Sequence, residues 1–163
     1  MNIVASLNRI ATAIIAAEPS YFSAGNTFVT PAFKPLTQLN RWYAEVWYQG
    51  SADFLGAGGG NLIRRYLVGV GVGTRLAVDL LGTDTQQTQE MILLMRRVTN
   101  TLHQFYDPLY FVEPLEFRSE SEVKTFTLEA PDAQGAWCLQ TYVAMSPIRA
   151  PDMLHTALPA IYP

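Results

Sequence analysis

The chain has 163 residues, 49% of them hydrophobic, 12% aromatic and 15% charged, with a formal net charge of -3. That length makes one domain of ordinary size, able to bury roughly two-thirds of its unfolded surface. The charged fraction falls well below the roughly 25% of typical soluble domains, so much of the surface is expected in the core or against partners. The mild acidic balance, without a block of like charge, excludes nucleic-acid binding through a basic patch. The lone cysteine, Cys138, excludes an intrachain disulfide and fits a reducing compartment.

The first element is apolar and alanine-rich, from Ile3 to Ala17. Asn8 and Arg9 interrupt it and no positive cluster precedes it, which argues against a signal peptide, and it is too short to span a membrane. Ile3, Leu7, Ile10, Ala11 and Ile14 share one helical face, so the spacing predicts an amphipathic helix packed on the domain and ended by Glu18-Pro19. Ser20 to Gln38 carries Gly25, Pro31 and Pro35 among scattered aromatics and reads as an irregular connection with one short strand at Thr27 to Val29. Leu39 to Gln49 is the next strand. Trp42, Ala44, Val46 and Tyr48 face one way, and Tyr43, Glu45 and Trp47 the other, which predicts burial on both faces.

Gly50 to Asn61 holds Gly56, Gly58, Gly59 and Gly60 around Phe54 and Leu55 and reads as a long hairpin loop, mobile until it meets a partner. A phosphate-binding loop would need Lys-Ser/Thr and a helix after its last glycine; here Asn-Leu-Ile-Arg and a strand follow. That strand, Arg64 to Val78, places Tyr66, Val68, Val70, Val72, Leu76 and Val78 on one face. Gly69, Gly71 and Gly73 on the other face form a flat strip onto which a helix, a ligand or another chain can press. The series lies inside a strand, not at the strand-to-helix turn of a dinucleotide fingerprint.

Leu80 to Asp84 is a turn with Thr83 or Asp84 as helix N-cap. Met91, Leu94, Met95, Val98, Leu102 and Phe105 then make one apolar stripe, with Gln86, Gln87, Gln89, Arg96, Arg97 and Asn100 largely opposite, so a helix is expected from Asp84 to about Tyr106, stopped by Asp107-Pro108. Leu109 to Phe117 is extended and broken by Pro114. Glu122 to Glu129 and Ala136 to Ser146 form an antiparallel pair joined through the turn formers of Ala130 to Gly135. In the last strand Trp137, Leu139, Thr141, Val143 and Met145 face one way, and Cys138, Gln140, Tyr142 and Ala144 the other. The apolar, proline-bearing end from 148 to 163 is expected to be an arm docked on its own domain or a neighbour.

Chemistry finds little to work with. His103 and His155 belong to no cluster at metal spacing, although His103 with Asp107 at i+4 could hold an ion. Cys138 lies mid-strand without a neighbouring histidine, which suits a buried structural thiol. No Gly-x-Ser-x-Gly occurs, and Glu113, Glu116, Glu120, Glu122 and Glu129 are dispersed as on solvated faces. No enzymatic activity, cofactor or metal is expected. The residues point to a soluble α+β domain with an assembly role: a mixed, mainly antiparallel sheet with two main helices packed on it, in a single domain.

The element order, α-β-β-α-β-β, resembles that of the tail terminator proteins of long-tailed bacteriophages. The resembling parts are the helix from Asn2 to Ala17, the hairpin from Leu39 to Val78, the helix from Asp84 to Tyr106 and the closing strands from Glu122 to Ser146. They cover most of the chain as a pattern of elements and not as a sequence motif. The resemblance implies a virion protein, made in the host cytoplasm, that forms a hexameric ring at the head-proximal end of the tail tube. Such a ring stops tube growth and offers the head-joining surface. Its partners would be further copies of itself, the tail tube protein and a head-completion or neck protein, with no sequence-specific nucleic-acid contact and no membrane. Trp47, Phe54, Leu55, Gly58, Gly59, Arg64 and Arg65, in and beside the glycine loop, are the candidate inter-subunit or tube contacts. Two alternatives stay open: another head–tail connector or tube protein, and a small-ligand or enzymatic domain whose glycine face and aromatics line a pocket.

Overall fold

The computed structural model of the protein describes residues 3–29, 42–56, 62–77, 84–127 and 133–148. Helix α1 (Ile3–Ala17) turns Leu7, Ile10, Ala11 and Ile14 into the core, as their three- and four-residue spacing requires. At its end the Glu18 N–H still bonds the Ile14 carbonyl, and the Glu18 carbonyl then accepts from Tyr21 and Phe22, which bends the chain away where Pro19 cannot continue the helix. Strand β1 (Thr27–Val29) follows and lies parallel to β2 (Trp42–Gly56).

β2 and β3 (Leu62–Ala77) form a long antiparallel hairpin. Helix α2 (Asp84–Leu102) crosses from β3 to the short strands β4 (Glu116–Glu120) and β5 (Lys124–Thr127), and β6 (Ala133–Ile148) closes the fold. The sheet order is β1-β2-β3-β6-β4, with β5 also on β6. β6 pairs β3 over its whole length, from Leu62 opposite Ile148 to Ala77 opposite Ala133. One parallel pair among antiparallel ones makes the sheet mixed, and with two helices it is the expected α+β fold.

Both helices pack on the same sheet face. Trp42, Ala44 and Val46 of β2, Tyr66, Val68, Val70 and Val72 of β3, and Ala136, Cys138, Tyr142 and Ala144 of β6 bury against the stripe Met91, Leu94, Met95, Val98 and Leu102 of α2 and the inner side of α1. Three polar networks tie the layers together, because buried polar groups must be paired. The Tyr66 hydroxyl lies 2.8 Å from Ser146 Oγ, itself 3.3 Å from Ser6 Oγ on α1. Gln140 Nε2 reaches the Met95 carbonyl at 3.0 Å, Thr99 Oγ1 at 2.6 Å and Glu120 Oε2 at 2.7 Å, while Tyr142 donates to Gln140 Oε1. Asn26 Nδ2 donates to the Tyr21 and Trp42 carbonyls, and its Oδ1 accepts from the Ser23 N–H, which fixes the turn that presents β1 to β2.

Several boundaries differ from expectation; the expected extended run from Leu109 to Phe117 opens instead as a turn, with the Tyr110 and Phe111 N–H groups on the Asp107 carbonyl, and becomes strand only at Glu116. α2 ends at Leu102 and not near Tyr106: Gln104 adopts φ 67° and donates its N–H to the Leu115 carbonyl, so a left-handed residue closes the helix before Asp107-Pro108 is reached. β2 does not end at Gln49. It runs on through Gly56 opposite β3, with bulges between Tyr48 and Gly50 and between Ser51 and Asp53, so the first half of the predicted glycine loop is strand. β6 begins at Ala133, inside the predicted turn, and continues past Pro147 to Ile148. The predicted segments at 30–41, 57–61, 78–83 and 128–132, and the arm beyond Ile148, lie outside the described residues.

Candidate assembly surface

Strand alternation sends Tyr43, Glu45, Trp47 and Gln49 of β2, and Trp137, Leu139 and Thr141 of β6, to the sheet face that neither helix covers. Between them run Gly69, Gly71 and Gly73 of β3. The glycines were expected to leave a strip open to a helix, a ligand or another chain; the structure corrects this. Their own neighbours fill it. A methyl group at position 69 would stand 2.6 Å from the Trp47 indole and 2.8 Å from Gln49 Nε2, at position 71 it would stand 2.7 Å from Trp137 Nε1, and at position 73 it would meet the Tyr43 ring. The absent Cβ atoms let two indoles lie almost flat, 6.2 Å between centroids and 21° between planes. A two-tryptophan ledge on a glycine floor results.

The ledge carries one ionisable pair. Tyr43 is 5% exposed, and burial, reinforced by Glu45, pushes its phenol up to about 12. Glu45, opposite Gly71 in register, is half-buried, and burial raises its carboxyl above the ordinary 4.5. Desolvation without a compensating cation has this sign. The Glu45 carboxylate makes no hydrogen bond or ion pair with any described residue.

The predicted contact residues separate. Trp47 is on the ledge. Arg64 donates from Nη2 to the Tyr48 hydroxyl at 2.7 Å and lies 5.3 Å from the centre of that ring, so it props an aromatic side chain at the hairpin. Arg65, the next residue along β3, points to the other face, the one that carries Trp47 and the glycines. Phe54 and Leu55 lie within β2, opposite Arg64 and Ile63, and Gly58 and Gly59 lie outside the described residues. Glu45, Gln49 and Trp137 were not singled out in the sequence. The signal for Trp137 was its place on the same face of β6 as Leu139 and Thr141, but only the pairing register brings it beside Trp47.

Elsewhere the chemistry is structural. Cys138 is buried, donates to the Ser121 carbonyl, and burial pushes its thiol up, away from thiolate reactivity. Asp107 does not join His103; it takes the Arg9 guanidinium, which lowers its pKa together with the Leu109 N–H. No group of three or more histidine, cysteine or acidic residues is placed to hold a metal ion among the described residues. Glu113, Glu116, Glu120 and Glu122 are exposed, Glu120 also meeting Gln140. A wide-mouthed cleft of about 730 Å³ opens between the α1–β1 turn and α2, lined by Tyr21, Phe22, Asn26, Trp42, Glu90 and Arg97 among others. Its polar groups are already engaged, Tyr21 with Glu90, Arg97 with Glu18 and Asn26 with backbone. No described helix is long and apolar enough to cross a membrane. No protein-family model matches the chain, and no curated protein is significantly similar to it.

Proposed function

We propose that the protein is a structural component of a phage virion that assembles as a ring on the head-proximal end of the tail tube, stops tube polymerisation and provides the surface on which the head is joined. The observation that carries the reading is the sheet face bearing Trp47, Trp137 and Glu45: it is aromatic, neither described helix covers it, and each indole rests on glycine. Aromatic anchors on a preformed surface are the residues that dominate protein–protein contacts. The element order, roughly α-β-β-α-β-β with the short strand β1 ahead of the hairpin and the short β4 and β5 before β6, and the low charge content agree with a subunit of this kind. Capping works by occlusion, the ring covering the last disc so that an incoming tube subunit meets no complementary edge. A catalytic or small-ligand role is less well served, since the cleft beside Tyr21 is open and its polar groups satisfy one another.

The test is to add the purified protein to preformed tail tubes of the cognate tube subunit and image them by negative stain. Density confined to one end supports the proposal. Bare ends at saturating protein overturn it.

A further inference from the structure

The two broad surfaces of the molecule are unlike and face away from each other. One is the tryptophan ledge with Glu45. The other is the outer side of α2, which buries Met91, Leu94, Met95 and Val98 and therefore turns Ile92, Leu93 and Arg96 outward. Ile92 is 41% exposed and Leu93 56%, two of the five large apolar side chains most exposed among the described residues. Arg96 is exposed one turn after Ile92 and forms no ion pair with a described residue.

We propose that these surfaces dock onto each other in successive copies of this chain, Ile92 and Leu93 lying on the indoles of Trp47 and Trp137 and Arg96 reaching Glu45. The chemistry of the two sides matches. A guanidinium stacks on an indole face and pairs with a carboxylate at once, whereas an ammonium would supply only a point charge. Glu45 already lacks part of its water shell in the single subunit, so a cation arriving there finds less left to desolvate. The glycine floor holds both indoles in place before contact, so little side-chain entropy remains to be lost.

Because the surfaces lie on opposite sides of the subunit, the contact is heterologous. Each copy uses its ledge on one neighbour and its helix on the next, and the chain of contacts closes into a ring where the rotation permits. The inference rests on the ring reading above for closure alone; the pairwise contact stands or falls by itself.

The experiment is cross-linking of the full chain carrying Glu45→Cys and Arg96→Cys, under mild oxidation, with Glu45→Cys and Arg118→Cys as control; Arg118 is exposed on β4. The native thiol at Cys138 is buried and unreactive enough to stay out of the reaction. The expected result is a ladder of covalent oligomers for the first pair and no ladder for the control. Glu45→Arg and Arg96→Glu should each weaken association about tenfold or more, and the double exchange should recover most of it, as a close charge pair across an interface does. No ladder from a protein that light scattering shows to be oligomeric overturns this contact while the ring reading stands. No ladder and no oligomer, in solution or on tubes, overturns both. Acrylamide quenching supplies a third outcome, since Trp42 is buried and Trp47 and Trp137 report the ledge. Indoles shielded in a monomeric chain would mean that the protein covers its own ledge, which also overturns the proposal.

Discussion

Gly71 and Gly50 are needed for different reasons, and substitution separates them. At position 71 a methyl would press on the Trp137 and Trp47 indoles, so Gly71→Ala must lift a ring from its floor. Overpacking of this kind costs about 1–3 kcal/mol, and the displaced indole should emit at longer wavelength. At position 50 nothing lies within 4 Å, but φ is 136°, so Gly50→Ala is strained by backbone alone. It should lower the unfolding midpoint with unchanged indole emission; a shifted spectrum there would contradict this division. The glycine strip also marks where sequence reading stops: alternation revealed its position, but not that Tyr43, Trp47 and Trp137 from neighbouring strands cover it, because that depends on register. Two carboxyls at this scale have opposite pH behaviour. Asp107, held below its ordinary 3.8 first by the Arg9 hydrogen bond, contributes stability above the unfolded value that is lost as pH falls through the folded one. Glu45, raised above 4.5, destabilises the folded subunit when ionised, and this relents as pH drops towards the unfolded value. Urea unfolding at neutral pH should therefore find Asp107→Asn less stable and Glu45→Gln more stable than the parent. Both differences should shrink in acid, below the two ordinary carboxyl values; equal midpoints at neutral pH would refute the assignment.

The elements were legible where one periodicity ran without competition. Period two over Tyr66 to Val72 and the stripe Met91 to Leu102 placed β3 and α2 with their inner faces correct. The differences fall where tertiary contacts override local breakers. Gly50 predicts an end to β2, yet bulges absorb it and the ladder with β3 continues to Gly56. Asp107-Pro108 predicts the end of α2, but the Gln104–Leu115 backbone bond, made outside the helix, ends it earlier. Alternation shows Gln140 only as a polar residue on the inner face of β6; in the fold it clamps α2 and β4 to that strand. Gln140→Leu removes the amide and leaves the Tyr142 hydroxyl without its acceptor inside the core. Each buried polar group stranded in this way costs about 1–3 kcal/mol, so the variant should unfold at clearly lower denaturant. Hydrogen exchange should quicken first at the β4 amides and the second half of α2; uniform loss across all elements would show that the clamp is not local.

At the scale of the molecule, the decisive feature is asymmetry: two helices on one sheet face and an aromatic ledge on the other. A subunit that buries one sheet face under its helices has unlike surfaces front and back, and the contact proposed between them would be directional. Capping makes a quantitative demand that other binding modes do not. If a ring closes the growing end, as proposed, arrest requires only about one ring per tube, whatever the number of discs already stacked. A protein that coats the tube wall or sequesters free tube subunits must instead approach the concentration of those subunits. Titrating the protein into polymerising tube subunit while scattering is followed should therefore stop elongation far below equimolar ratio, and the final length should shorten as rings are added. The charge-reversed Glu45→Arg variant should need a large excess to do the same, and the double exchange with Arg96→Glu should restore arrest at low ratio. Inhibition that becomes complete only near equimolar protein would place the contact on the free tube subunit and remove capping as its function.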